Sequence, residues 1–258
     1  MAETALFSVM QLHAPILERL VWDFQQASYS SSPPRLCLDH TPHLQDLDIK
    51  NVYWSPFTPE WTTHTCLTHL SIISGVRRGT TFDHDELFKV LTKLPQLKSL
   101  VLRTCLKNVE ESTRHRQPVT PAHLSYLDLA DNVYICAPVM QQLRVPNVSL
   151  KVSLGSAFRL NEHGPQYALQ LLMAHQDNFT TPLLKAVIEW TKHLQVSAWR
   201  NRDATMNDSS TYDLANRPDF RVSLQYLGAR TDATASVLLA LPLHDIRVLH
   251  IVAINRWG

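Results

Sequence analysis

Residues 97–105 read Leu97-Lys98-Ser99-Leu100-Val101-Leu102-Arg103-Thr104-Cys105, and this stretch decides the fold. It matches L-x-x-L-x-L-x-x-N/C in full, the pattern that carries a leucine-rich repeat from strand into loop. Residues 124–132, LSYLDLADN, match it again with Leu124, Leu127, Leu129 and Asn132 at the fixed positions. Two full matches, one closing in Cys and the other in Asn, favour a stacked interaction scaffold over an enzyme.

Working outward, five apolar triplets line up: Leu17, Leu20 and Trp22; Leu44, Leu47 and Ile49; Leu67, Leu70 and Ile72; Leu97, Leu100 and Leu102; Leu124, Leu127 and Leu129. Their first members lie 27, 23, 30 and 27 residues apart, straddling the roughly 20–29 residues of a leucine-rich repeat. Pro15, Pro42 and Pro95 sit two residues before the first leucine, and Pro121 three before it. A proline there stops a preceding helix and sets an extended approach to the strand. Asn132 and Cys105 are expected to bond backbone groups in the turn that follows the strand, Asn fully and Cys weakly.

Strand alternation turns the pattern into a surface. If Leu100 and Leu102 point to one face, Ser99, Val101 and Arg103 point to the other. One unit cannot cover its own apolar side, so several must stack, leaving the alternate residues along a parallel sheet. The expected fold is therefore α/β, a horseshoe-like solenoid with a concave parallel sheet and irregular helices and loops on the convex side. Exposed alternates are Arg19, Val21 and Asp23; Asp46, Asp48 and Lys50; His69, Ser71 and Ile73; Ser99, Val101 and Arg103; Tyr126, Asp128 and Ala130. From these the candidate partner-binding set is Asp23, Asp46, Asp48, Lys50, His69, Ser71, Ser99, Val101, Arg103, Tyr126 and Asp128. Tyr126 and Arg103 fit the preference of binding hot spots for aromatic residues and Arg.

Between the third and fourth triplets, Asp83 and Glu86 make a capping-box start, and Leu87, Phe88, Leu91 and Leu94 form a helical stripe that ends before Pro95. Ser28–Pro34 and Leu106–Thr120 read as loops. The pattern weakens past residue 132, so residues 1–155 are expected to hold five to six repeats and 156–258 a degenerate continuation. There, Pro146, Val148 and Leu150 suggest a sixth strand, and Gln166–His175, Pro182–Trp190 and Thr234–Leu241 suggest helices. Leu194 and Val196, and Val222 and Leu224, suggest strands, Asn201–Asp219 a mobile loop, and Ile246, Leu249 and Ile251 a final triplet.

The chain has 258 residues, 45% hydrophobic and 18% charged, with a net charge of +1, so no global field favours nucleic acid or anionic membrane. Cys37, Cys66, Cys105 and Cys136 lie far apart, and no signal peptide or long apolar run is visible. An intracellular, reducing setting in cytoplasm or nucleus is expected, with thiols acting as small hydrophobes. No P-loop, G-x-G-x-x-G, G-x-S-x-G or H-E-x-x-H occurs, and there are only six glycines. No catalytic residue, cofactor or metal site is therefore expected. Asp83, His84, Asp85 and Glu86 read as a helix start rather than metal ligands. His43, His69 and His123, among thirteen histidines, fill variable positions beside leucines.

The units Ala14–Leu20, Thr41–Ile49, Cys66–Ile72, Leu94–Leu102 and Pro121–Leu129 resemble the repeat region of F-box-like proteins of mushroom-forming (basidiomycete) fungi. There an N-terminal F-box precedes irregular repeats that favour a proline, a short gap and leucines flanked by Ser, Asp and His. The resemblance covers roughly residues 10–155 and, loosely, Leu241–Ile251. It implies the substrate receptor of a ubiquitin ligase, whose F-box docks on the adaptor subunit while the repeats hold a protein target. Residues 1–13 are too short for an F-box and none is found elsewhere, so the target-binding half carries over, and adaptor recruitment requires an F-box upstream. Abrupt ends near Leu17 and at Gly258 leave open a truncated or nonfunctional fragment of a larger receptor. The rival from another class is an enzyme with a pocket in residues 150–240.

Overall fold

Each of four strands is approached through the same tight turn. Leu17 N donates to Ala14 O at 3.1 Å, Leu44 N to Thr41 O at 3.1 Å, Leu97 N to Leu94 O at 3.2 Å and Leu124 N to Pro121 O at 3.3 Å. Pro15, Pro42 and Pro95 occupy the second turn position, where a fixed φ near −65° is already the one required. The prolines thus build a hydrogen-bonded turn, a tighter device than the extended approach expected of them.

The computed structural model describes residues 14–23, 41–51, 65–74, 83–107, 118–145, 149–154, 185–190, 193–199, 220–225 and 246–253. The protein is α/β, with parallel strands predominating, and divides into two compact units, Met1–Ser125 and Tyr126–Gly258.

In the first unit β1 (Arg19–Asp23), β2 (Asp46–Lys50), β3 (His69–Ile73) and β4 (Ser99–Arg103) pair in parallel and in sequence order. Their register aligns Leu20, Leu47, Leu70 and Leu100 in one column and Trp22, Ile49, Ile72 and Leu102 in the next. Leu47, Leu70 and Leu100 are at most 2% exposed, and Leu44, Leu67 and Leu97 form a buried third column. A side chain of this size contributes about 2 kcal/mol when taken out of water, so the columns hold the unit together. Below the strands a ladder continues: Asp46 N bonds Glu18 O, His69 N bonds Gln45 O, Ser99 N bonds Thr68 O, and Ser125 N bonds Lys98 O.

Helix α1 (His84–Leu91) precedes β4. Asp83 Oδ1 accepts from Asp85 N at 2.9 Å and Glu86 Oε2 from Asp83 N at 3.2 Å, the reciprocal cap read from the sequence. Those two carboxylates satisfy helix-start amides, while Leu87, Phe88 and Leu91 are buried, as is Leu94 beyond the helix.

In the second unit β5 (Tyr126–Asp131) leads through Asn132 into α2 (Val133–Gln142), which contains Pro138. The sequence reading missed this helix. The strands β6 (Ser149–Leu154), β7 (Lys185–Trp190), β8 (His193–Trp199), β9 (Phe220–Gln225) and β10 (Val248–Ala253) follow, in the spatial order β5-β6-β9-β8-β7-β10. β5, β6 and β9 are mutually parallel, β7 is parallel to β10, and β8 runs antiparallel to both β7 and β9.

This order departs from a simple repeat. Trp190 and His193 are separated by two residues, and so short a connection can only return the chain antiparallel. The helix expected at Pro182–Trp190 is corrected: Lys185–Trp190 is a strand. Val187, Ile188 and Trp190 favour a strand, and Pro182 suits a helix start without demanding one. The sixth strand begins at Ser149, later than the expected triplet. The strands expected around Leu194, Val222 and Leu249 are β8, β9 and β10. The readings of Ser28–Pro34, Gln166–His175, Asn201–Asp219 and Thr234–Leu241 lie outside the described residues.

Candidate partner-binding face

Register pairs set the alternate residues of the first unit into three rows. Arg19, Asp46, His69 and Ser99 form one; Val21, Asp48, Ser71 and Val101 the next; Asp23, Lys50, Ile73 and Arg103 the third. Eight of these twelve positions are half-buried, and Arg19, Val21, Asp23 and His69 are exposed, opposite the apolar side chains that are buried in each strand: Trp22, Leu47 and Ile49, Leu70 and Ile72, Leu100 and Leu102. Strand parity read from the sequence therefore brings Asp23, Asp46, Asp48, Lys50, His69, Ser71, Ser99, Val101 and Arg103 onto one face.

The charges on that face are held by neighbours. Lys50 Nζ lies 3.0 Å from Asp48 Oδ2, two residues along the same strand. His69 Nδ1 approaches Asp46 Oδ1 at 2.6 Å and Thr68 Oγ1 at 2.8 Å. Since the Thr68 hydroxyl donates to Gln45 O at 3.2 Å, it faces the ring as an acceptor, and Nδ1–H is shared between it and Asp46. Asn51, in a left-handed conformation with φ 58, donates from Nδ2 to Asp23 Oδ1 at 2.6 Å. Pairs this exposed contribute at most about 1 kcal/mol each; their effect is to fix where the charges stand. Asn51 and Thr68 escaped the sequence reading, although an Asn directly after a strand signals a left-handed turn.

Tyr126 and Asp128 belong to the second unit. Tyr126 is half-buried, as a residue on a strand face should be. Asp128 requires correction: the exposed position expected for it is 1% exposed. The Tyr126 hydroxyl stands 3.4 Å from its Oδ2, and Lys151 Nζ, from the register partner on β6, stands 3.6 Å away. Two longer side chains thus roof over a short one. Further along the same row Arg221, the partner of Lys151, donates from Nε to the buried Ser197 Oγ at 3.2 Å.

The cysteines divide. Cys66 is exposed, contrary to its expected role as a small hydrophobe, whereas Cys105 and Cys136 are buried. Burial pushes the Cys136 thiol far above the ordinary range, with the Asp131 and Asp128 carboxylates adding to the rise and a backbone hydrogen bond to Asp131 opposing it. Burial and the two carboxylates thus disfavour the thiolate, the form in which a cysteine acts as a nucleophile. The Asn132 carbonyl accepts from Cys136 N at 2.9 Å, the first turn of α2. Among the described residues no group of three or more His, Cys, Asp and Glu could hold a metal ion, and no helix is long and apolar enough to cross a membrane. Comparison with protein-family models, curated proteins and solved structures finds no match.

Proposed function

We propose that this chain is a leucine-rich-repeat scaffold that receives a protein partner on the face formed by the alternate residues of β1–β4. The observation that carries this reading is the register: Leu47, Leu70 and Leu100 stand side by side and buried, which leaves Asp48, Lys50, Ser71, Val101 and Arg103 side by side on the opposite face. Such a face mixes both charge signs with small and apolar positions, a composition suited to protein recognition more than to a polyanion. On the F-box resemblance the partner is the target of a ubiquitin ligase, and recruitment of the ligase adaptor would require an F-box upstream.

The test compares partners captured by the wild-type chain with those captured by Lys50→Glu/Arg103→Glu. Charge reversal at Lys89 and Lys93, exposed residues of α1 and its C-terminal end, is the control. The reading expects the first variant to lose specific partners that the control retains, with circular dichroism unchanged in both. Identical partner sets for all three chains would overturn it.

A further inference from the structure

The strand order of the first unit stops at β1, which among the described residues pairs only with β2. We propose that this edge pairs with the same edge of a second copy of the chain, β1 against β1, antiparallel about Val21. The inference does not depend on the partner-binding reading above.

Three observations carry it. The leucine columns are unfinished at this end: Leu17 and Leu20 are only half-buried where Leu47, Leu70 and Leu100 are at most 2% exposed, although Trp22 in the next column is buried; outside the columns Val21 is 51% and Ile16 86% exposed. The backbone direction is fixed as well. Asp46 N donates to Glu18 O at 3.0 Å, so the backbone groups of residues 18, 20 and 22 turn toward β2 and those of Arg19, Val21 and Asp23 turn outward. Finally, Arg19-Leu20-Val21-Trp22-Asp23 complements its own reverse. Centred on Val21, an antiparallel copy sets Arg19 opposite Asp23 at both ends, Leu20 opposite Trp22, and Val21 opposite Val21.

These features agree with one another. The residues whose N–H and C=O point outward are the ones that this register makes hydrogen-bonded pairs, giving about six new backbone bonds. Arg19, Val21 and Asp23 share one face and Leu20 and Trp22 the other, so the pairing joins polar face to polar face and apolar to apolar. Asp23 can accept from Arg19 while Oδ1 keeps its bond from Asn51, since a carboxylate has about four acceptor sites. A parallel copy in register would instead set Arg19 against Arg19, a repulsive pairing. Edge strands of monomers commonly carry charge that repels a second chain; here it attracts in a single orientation, about a two-fold axis.

Sedimentation velocity of the full chain over a rising concentration series tests the proposal. The wild type is expected to form a reversible species of twice 29.4 kDa. Val21→Pro deletes an outward N–H, which an edge strand tolerates, and is expected to weaken association about tenfold or more. Arg19→Asp, which sets carboxylate against carboxylate, is expected to weaken it too, and the exchange Arg19→Asp/Asp23→Arg to restore it, with circular dichroism confirming each fold. A wild type monomeric at every concentration would overturn the proposal. So would association indifferent to Val21→Pro and Arg19→Asp, or an exchange variant that stays as weak as Arg19→Asp alone.

Discussion

Thr104 Oγ1 donates to the Ser74 carbonyl at 2.8 Å while its own backbone is left-handed, at φ 51. Ser74 N in turn donates to Arg103 O at 2.9 Å, so the chains stay clipped together one residue past β3 and β4. Asn51 does the same past β2, reaching Asp23 at the end of β1. A left-handed β-branched residue costs about 1–2 kcal/mol, and the hydroxyl bond returns about 1 kcal/mol. Thr104→Gly, which removes both terms, is therefore expected within about 1 kcal/mol of wild type, whereas Thr104→Val, which keeps the strain and loses the bond, should cost about 1–2 kcal/mol. Urea midpoints rank the three chains; valine equal to wild type would contradict this account.

The columns of the first unit predict a gradient of cost along the strands. Leu100 is fully buried and Leu20 half-buried at equivalent register positions. Leu100→Ala should destabilise by about 3 kcal/mol through lost burial and the cavity left behind, and Leu20→Ala by about 1 kcal/mol because solvent already reaches the site. Equal losses in urea unfolding would mean that the terminal strand is as well covered as the inner ones.

How much of this was legible depended on whether the deciding contacts were local. Leu100 and Leu102, two apart, declare a buried strand face by themselves, and Asp83 with Glu86 declares a cap within one helical turn. Helix α2 carries no such mark: Val133–Gln142 is apolar along most of its length, contains Pro138 and lacks a polar stripe. Asp128 obeys strand parity, yet its exposure is decided by Lys151 on β6, a neighbour that only the register identifies. The placement of β9 beside β6, ahead of β7 and β8, likewise rests on pairing between distant segments, to which no short spacing testifies.

Cys136 makes stability depend on pH in a defined direction. Below the ordinary thiol value of 9.0, folded and unfolded chains both keep its proton and the contribution is constant. Above it the unfolded chain releases the proton while the buried thiol, desolvated and faced by Asp131 and Asp128, retains it. The unfolded state then binds fewer protons, so stability falls as pH rises, by up to ~1.4 kcal/mol per pH unit. Other groups titrate in this range, so the measurement is the difference between wild type and Cys136→Ala in urea unfolding from pH 7 to 10.5. That difference should shrink steadily above pH 9, and parallel curves would show that the thiol titrates alike in both states.

Asp128 supplies the last prediction because its burial makes the partner's removal costly. With Asp128 1% exposed and Lys151 Nζ 3.6 Å from Oδ2, Lys151→Met removes a cation from beside a carboxylate held out of water, near which the Tyr126 hydroxyl also stands, at 3.4 Å. Loss of one member of a buried pair costs several kcal/mol; this cation is a third exposed and slightly long, which reduces the expectation to about 1–2 kcal/mol. Asp128→Asn removes the buried charge, so adding it to Lys151→Met should recover part of that loss. A double-mutant cycle should thus give a coupling of about 1 kcal/mol between Asp128 and Lys151. Strict additivity would mean that Lys151 covers the carboxylate without stabilising it, and that its place above Asp128 reflects packing of its alkyl stem alone.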